Sequence, residues 1–372
     1  MTALPTADPT TADPTTAGAA GTVAWLDAVR RRCATDVHAF VTERVREHFT
    51  GRAADTPAPT ALPEFVTGGK FLRPMFAYTG WRCGGPESAA ALRAAAGLEL
   101  LHCFALAQDD VMDGSARRRG RPSMHVRFAR WHEEQGLSGS AARFGESAAV
   151  LMGDLFLVWS EQLLHESGLD ADALARGRPG YDLLRSELAV GQLGDLVNDA
   201  RALPSWDDVL DVIRRKSGNY TVRRPLEFGA ALAGCPEDVI TALGTYGGLL
   251  GEAFQFRDDL LGVFGDPAVT GKPAGDDLRE RKASSVVVLA RDLADRRQRT
   301  EFAGLLALPD VDDAAVAGWR DLITATGARD QLEKFIDDRV RRALEAIDLV
   351  SLPRQAASAL TVLANRCTER VR

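Results

Sequence analysis

ELLHCFALAQDDVM, Glu99–Met112, reads as a helix that is apolar on nearly every side until it reaches Asp109 and Asp110, with Asp113 one residue beyond. Apolar residues on all faces mark a helix enclosed by other helices, as in the middle of a bundle. Helical geometry puts Asp109 and Asp113, four apart, on one face with Asp110 beside them. Gly114 and Ser115 then end the helix. The carboxylates therefore crowd its C-terminal turn, where the macrodipole is negative and repels them. Ionised carboxylates in a low-dielectric site must find cations, take up protons or stay wet. Taken alone, such a string also reads as an acidic cap on a surface loop.

A second stretch repeats the pattern. In AFQFRDDLLGVFGD, residues 253–266, Asp258 and Asp259 interrupt another mostly apolar helix, and Gly247, Gly248 and Gly251 before it allow close helix contact. Oxygen ligands without His or Cys select Mg²⁺ or Mn²⁺ over zinc, and Mg²⁺ on few carboxylates completes its shell with water and phosphate oxygens. The implied ligand is phosphorylated. Cations stand nearby: Arg117, Arg118, Arg119 and Arg121 follow the first acid cluster, and GGKFLRP offers Lys70 and Arg73 behind a glycine pair. Arginine meets phosphate with a planar two-bond fork, and lysine brings a point charge on a mobile stem. RRRGR alone is more often a solvated loop. Further candidates are Gln192 in GQLGDL, Lys216 with Ser217 in RRKSGNYTV, Gln255, Lys272 in TGKPAGDD, and Lys282.

The remainder of the chain bounds the class. With 372 residues, 45% of them hydrophobic, it can bury a large core. Residues 1–21, where TADPT occurs twice, offer almost nothing large to bury and are expected to be a disordered tail. From Val23 apolar residues recur at three- and four-residue intervals, as at Trp25, Val29, Cys33, Val37 and Phe40, and alternating strand-like runs are nearly absent. Breaks rich in Gly and Pro near 50–63, 114–122, 136–145, 168–180, 201–205 and 265–275 divide long helical segments. The expectation is an all-α antiparallel bundle forming one domain over residues 22–372. A net charge of -7 argues against a nucleic-acid partner. No signal core or long uncharged apolar run is evident, so a cytoplasmic protein without a transmembrane segment is expected. The five cysteines are scattered without CxxC spacing and read as reduced packing residues.

The ordered motifs GGKFLRP, LLHCFALAQDDVMDGSARRRGRPSMH, VLMGDLF, GQLGDL, KSGNYTV, FQFRDDLLGVFGD, GKPAGDDL and RERKAS, from about residue 65 to 290, resemble the trans-isoprenyl diphosphate synthases, most of all bacterial geranylgeranyl diphosphate synthases. The resemblance implies a helical bundle around a deep central cavity, usually a homodimer, with the two aspartate motifs facing each other across its mouth. By that resemblance Asp109 and Asp113, with Asp258 opposite and Asp110 and Asp259 in support, would hold a cluster of Mg²⁺ ions on an allylic diphosphate. Arg118, Lys216, Ser217, Gln255, Lys272 and Lys282 would bind the same diphosphate. Lys70, Arg73, His102 and Arg119 match the pocket for isopentenyl diphosphate. The implied reaction ionises the allylic C–O bond, joins the cation to the olefin of isopentenyl diphosphate, and returns a proton to the released diphosphate.

Product length by the same resemblance depends on Phe104 and Ala105, the fifth and fourth positions before Asp109, with Ala105 one turn below it. Short-chain relatives place aromatic residues at both positions, and a single one implies a C20 product. Farnesyl or longer products are the alternatives. The family's second motif commonly reads DDxxD, but Gly262 takes the third position here, and Asp266 lies further along. Phe71 replaces a usual Arg, and Gln108 stands where His often precedes the aspartates. A class I terpene cyclase would need Ser and Glu after Asn198-Asp199, which are missing. A noncatalytic partner of a heteromeric synthase would be expected to have lost aspartates or cations that are present.

Overall fold

The computed structural model describes residues 14–200, 203–265 and 275–368. They form α1 (Pro14–His48), α2 (Ala58–Phe65), α3 (Leu72–Arg82), α4 (Ala89–Met112), a short antiparallel hairpin of β1 (Arg117–Arg118) and β2 (Arg121–Pro122), α5 (Met124–Glu134), α6 (Ala141–His165) and α7 (Ala171–Asp199). There follow α8 (Trp206–Val212), a π-helix (Ile213–Arg223), α9 (Arg224–Ala233), α10 (Glu237–Phe264), α11 (Asp276–Arg279), α12 (Ser285–Leu293), α13 (Arg296–Leu306), α14 (Asp313–Ala325), α15 (Ala328–Asp348) and α16 (Arg354–Thr368). The fold is all-α, as the periodicity predicts.

Helix starts follow local chemistry. Ser88, Ser140 and Asp170 each accept a hydrogen bond from the backbone N–H three residues on, capping α4, α6 and α7. Two expectations are corrected. α1 begins at Pro14, inside the stretch 1–21 read as a tail, because proline suits a first helical turn and TTAGAAG is rich in alanine. Residues 1–13 lie outside the described residues. The break expected over 168–180 is shorter, since α7 starts at Ala171 and runs through Pro179. A helix-interior proline costs about 3 kcal/mol, and tertiary packing offsets it here: the Tyr181 ring packs tilted against Phe228 at 5.7 Å, and Gly177 sits against Leu232.

α4 packs along α6 and against α3 and α1 in the larger of two cores. A second core gathers α8, α12, α14 and α15. α10 joins them, with Leu243, Tyr246 and Leu250 in the first and Ala253, Phe256 and Leu260 in the second. Close approach requires glycine at two of the three positions predicted: Gly247 abuts the Arg223 backbone and Gly251 abuts Gly218, whereas Gly248 has room for a side chain. α10 thereby presses its acidic end toward the π-helix. α4 and α6 are each long and apolar enough to match a bilayer span by length and composition, and here they pack on each other within the bundle. All five cysteines are buried and none is in a disulfide, as expected of packing residues.

Candidate active site

The C-terminal end of α4 and the C-terminal half of α10 face each other across a cavity of about 260 Å³, with α7 and the π-helix as a third wall. Of the predicted residues, Asp109, Asp113, Lys216, Ser217, Gln255, Asp258, Asp259 and Lys282 all line it. Asp109 Oδ1 accepts hydrogen bonds from Lys216 Nζ at 3.2 Å and Gln192 Nε2 at 3.0 Å. Lys216 also donates to Asp195. Burial works against the Lys216 charge, but Asp109 and Asp195 outweigh it and hold the ammonium above the ordinary lysine range. For Lys282, burial is likewise outweighed by Asp277 and Glu280. Both lysines therefore stay charged inside a partly enclosed site.

The aspartates do not act as equals. Successive helical residues point about 100° apart, so neighbouring acids meet different surroundings. Asp110, expected among the metal ligands, is fully buried and is not on the cavity wall. Its Oδ1 accepts from Arg118 Nε at 2.8 Å and from Nη2 as well. Burial pushes the Asp110 carboxyl up, and Arg118 opposes that shift. The pair aims Arg118, whose Nη2 stands 4.0 Å from Asp109 Oδ2. Asp259 lines the cavity, yet Ser285 N donates to its Oδ2 at 2.9 Å and Gln255 Nε2 to its Oδ1 at 2.7 Å. Its carboxyl is pushed up to about 7 by burial, against those bonds. Asp109, Asp113 and Asp258 are left as the acids presented to the cavity from the two motifs.

Arg118 and Arg119 also line a neighbouring cavity of about 230 Å³ with Thr67 and Gly68. Arg119 has φ 50, a left-handed conformation uncommon outside glycine, and its Nη1 donates to Thr67 O at 3.0 Å. A Cβ on Gly69 would lie 2.8 Å from Arg119 Nη2, so the glycine pair admits the guanidinium against the loop. Lys70 is exposed at the loop's end. Phe71, in place of the usual Arg, is left-handed and 2% exposed. Arg73 donates to Thr221 Oγ1 at 2.9 Å and lies over the Tyr220 ring at 4.2 Å, and the His102 ring is tilted to Tyr220 at 6.3 Å. Burial, then Arg73 and Arg119, hold His102 well below its ordinary pKa, so the imidazole is neutral. Lys272 lies outside the described residues. Phe104 and Ala105 are half-buried, pack on the larger core, and are not on the wall of the acidic cavity.

Sequence reasoning passed over Asp195, Asp277, Tyr220, Thr221 and Glu99. Asp195 had a signal: it follows Gln192 by three on α7, the same polar intrusion that exposed Asp109. The π-helix had none. Among the described residues no three His, Cys, Asp or Glu side chains meet closely enough to hold an ion alone. Carboxylates standing apart around a cavity fit a hard cation that completes its shell with phosphate oxygens and water.

The helical bundle turns acids and cations onto one polar cavity, beside a second, arginine-lined one. The polyprenyl synthetase family model matches residues 59–318, and the chain belongs to that family, the trans-prenyl diphosphate synthases. It is 32% identical to geranylgeranyl diphosphate synthase of Mycobacterium tuberculosis over 80% of this chain and 81% of that one. It is 31% identical to geranylfarnesyl diphosphate synthase of Aeropyrum pernix, over 87% and 97%. A solved geranylgeranyl pyrophosphate synthase of Corynebacterium glutamicum, complexed with isoprenyl diphosphate and magnesium, superposes with TM-score 0.84 at 36% identity, covering 93% of this chain and 98% of that one.

Proposed function

We propose that the protein condenses isopentenyl diphosphate head-to-tail with dimethylallyl, geranyl and farnesyl diphosphates, using Mg²⁺, and releases mainly geranylgeranyl diphosphate. The observation that carries this reading is the pair of unlike pockets flanking α4: carboxylates with Lys216 in one, Arg119 with the glycine loop in the other, and Arg118 lining the second while its Nη2 reaches to 4.0 Å from Asp109 of the first. Mg²⁺, or Mn²⁺ in its place, would be held by Asp109, Asp113 and Asp258, and when bound it supplies charge neutralisation on the departing diphosphate. Lys216, Arg118, Ser217, Gln255, Lys272 and Lys282 bind the oxygens of that diphosphate. As the allylic C–O bond breaks and its electron pair leaves with the diphosphate, these groups stabilise the growing charge. Lys70, Arg73 and Arg119 hold isopentenyl diphosphate, and neutral His102 adds a hydrogen-bonding group without charge. The olefin's electron pair forms the new C–C bond, and a proton then leaves the adduct for the released diphosphate. Phe104 and Ala105 set where elongation stops.

A homodimer belongs to the same reading. Leu151 and Val158 on α6 and Val190 and Leu193 on α7 are exposed large apolar residues, Leu151 at 60% and Leu193 at 63%. Light scattering is expected to give twice the chain mass, falling to one chain mass in Leu193→Glu. A cytoplasmic site of action accords with five cysteines outside any disulfide.

The deciding experiment incubates the purified protein alone with Mg²⁺, labelled isopentenyl diphosphate and each allylic starter, then identifies the released alcohols. Geranylgeraniol as the main product supports the reading. A dominant C15 or C25 alcohol overturns the chain length, and no condensation at all overturns the assignment of an active synthase.

A further inference from the structure

The second aspartate motif lacks its third acid, and the space at that position is taken. Gly262 follows Asp258 by four residues on α10, so a side chain there would project from the face that presents Asp258. A Cβ built on Gly262 would overlap Asp277 Oδ2 and lie 2.5 Å from its Cγ. Atoms do not approach so closely, so Asp277 holds this position only because residue 262 has no side chain. Asp277 itself lines the acidic cavity with Asp109, Asp113 and Asp258. The turn that delivers it is built for the purpose: Gly275 has φ +76, its carbonyl accepts from Leu278 N and Arg279 N to open α11, and a Cβ there would lie 2.5 Å from Val316. The Asp277 carbonyl also accepts from Lys282 N at 2.9 Å, which ties Lys282 to the same turn.

We infer that Asp277 supplies, from the segment after α10, the carboxylate that position 262 lacks, and that glycine at 262 is required to admit it. The inference rests on the metal-assisted diphosphate chemistry proposed above, and it deepens that reading by adding a residue to the cavity's acid set. Position 262 and position 277 are therefore exclusive: an acid restored at 262 expels Asp277 instead of adding to it. A methyl group expels it as well, without bringing a carboxylate.

The test measures binding of inorganic diphosphate in Mg²⁺ by titration calorimetry on the full chain, with circular dichroism on every variant. Asp277→Asn, which keeps the shape, and Gly262→Ala, which keeps Asp277 but displaces it, are each expected to weaken binding roughly 10- to 100-fold, the range for losing one interaction with a charged group. Gly262→Asp alone and the double variant Gly262→Asp/Asp277→Gly, each leaving one carboxylate at this place, are both expected to bind better than Gly262→Ala and Asp277→Asn. Wild-type affinity in Asp277→Asn overturns the inference, and so does a double variant no better than the sum of its single changes. A wild-type protein that binds no diphosphate in Mg²⁺ overturns the functional reading beneath it. A wild-type that binds, beside an Asp277→Asn that binds equally, overturns only the role of Asp277.

Discussion

The two aspartate motifs make the same division of labour with different partners. In DDVMD the first and third acids face the cavity, and the second turns into the protein, where Arg118 holds it. In DDLLG the first acid faces the cavity, the second is held by Ser285 and Gln255, and the third is absent. Each second aspartate acts through what it touches: Asp110 aims a cation, whereas Asp259 anchors the start of α12. The difference teaches that an identical dipeptide carries two functions because helical rotation separates adjacent side chains, and that the neighbours decide what the inward one does.

The largest expected effect tests the equivalence of the leading acids. Asp109→Asn and Asp258→Asn are each expected to lose about 10²- to 10³-fold in turnover, the usual consequence of removing one group that stabilises transition-state charge, with unchanged circular dichroism. Normal turnover in either would break the symmetry between the motifs. Next come the inward acids. Asp110→Asn is expected to raise KM for the allylic diphosphate roughly 10- to 100-fold by releasing Arg118, while Asp259→Asn is expected to show chiefly as a lower melting temperature. Equal kinetic defects in both would remove the contrast drawn here.

A smaller effect compares the acidic end of α4 with its interior. Glu99 is 2% exposed, its Oε2 has no hydrogen-bond partner among the described residues, and burial pushes its carboxyl from 4.5 up to about 7 against the pull of Arg73 and Arg119. The native state therefore holds a proton that the unfolded chain releases between these values, so this group's contribution to stability falls as pH rises from 4.5 to about 7. Glu99→Gln removes that penalty. Denaturant titrations should show the variant favoured over wild type at pH 8 by up to about 3 kcal/mol relative to their difference at pH 4.5. A pH-independent difference would place an unshifted carboxyl at this position. Smallest in rate is the chain-length pair: Ala105→Phe is expected to shift product toward farnesyl diphosphate and Phe104→Ala toward longer chains, read by chromatography. An unchanged spectrum in both would put the limiting wall elsewhere.

Much of this was legible before any coordinates. The 3.6-residue periodicity marked the bundle, the apolar surroundings of Asp109 and Asp258 marked both halves of the site, and two of three α10 glycines proved to be contact points. What misled was treating Gly and Pro as breaks everywhere, since α7 carries Pro179 in its interior and α2 occupies the stretch expected to be a loop. Local propensity is a weak prior once packing on neighbouring helices offsets its cost.

The sequence by itself determined the fold class, the acid and cation inventory and the family, because periodicity and motif order are properties of the chain read in line. It also showed that residue 262 lacks an acid. Only the tertiary structure decided which carboxylate of each pair meets the cavity, that Arg118 is aimed by Asp110, that Lys216 bridges Asp109 and Asp195, and that Asp277 fills the room left by Gly262. These pairings join residues up to 107 positions apart. No local pattern encodes such a distance, because burial and charge act through space, and the chain's path through space is set by the packing of the whole bundle.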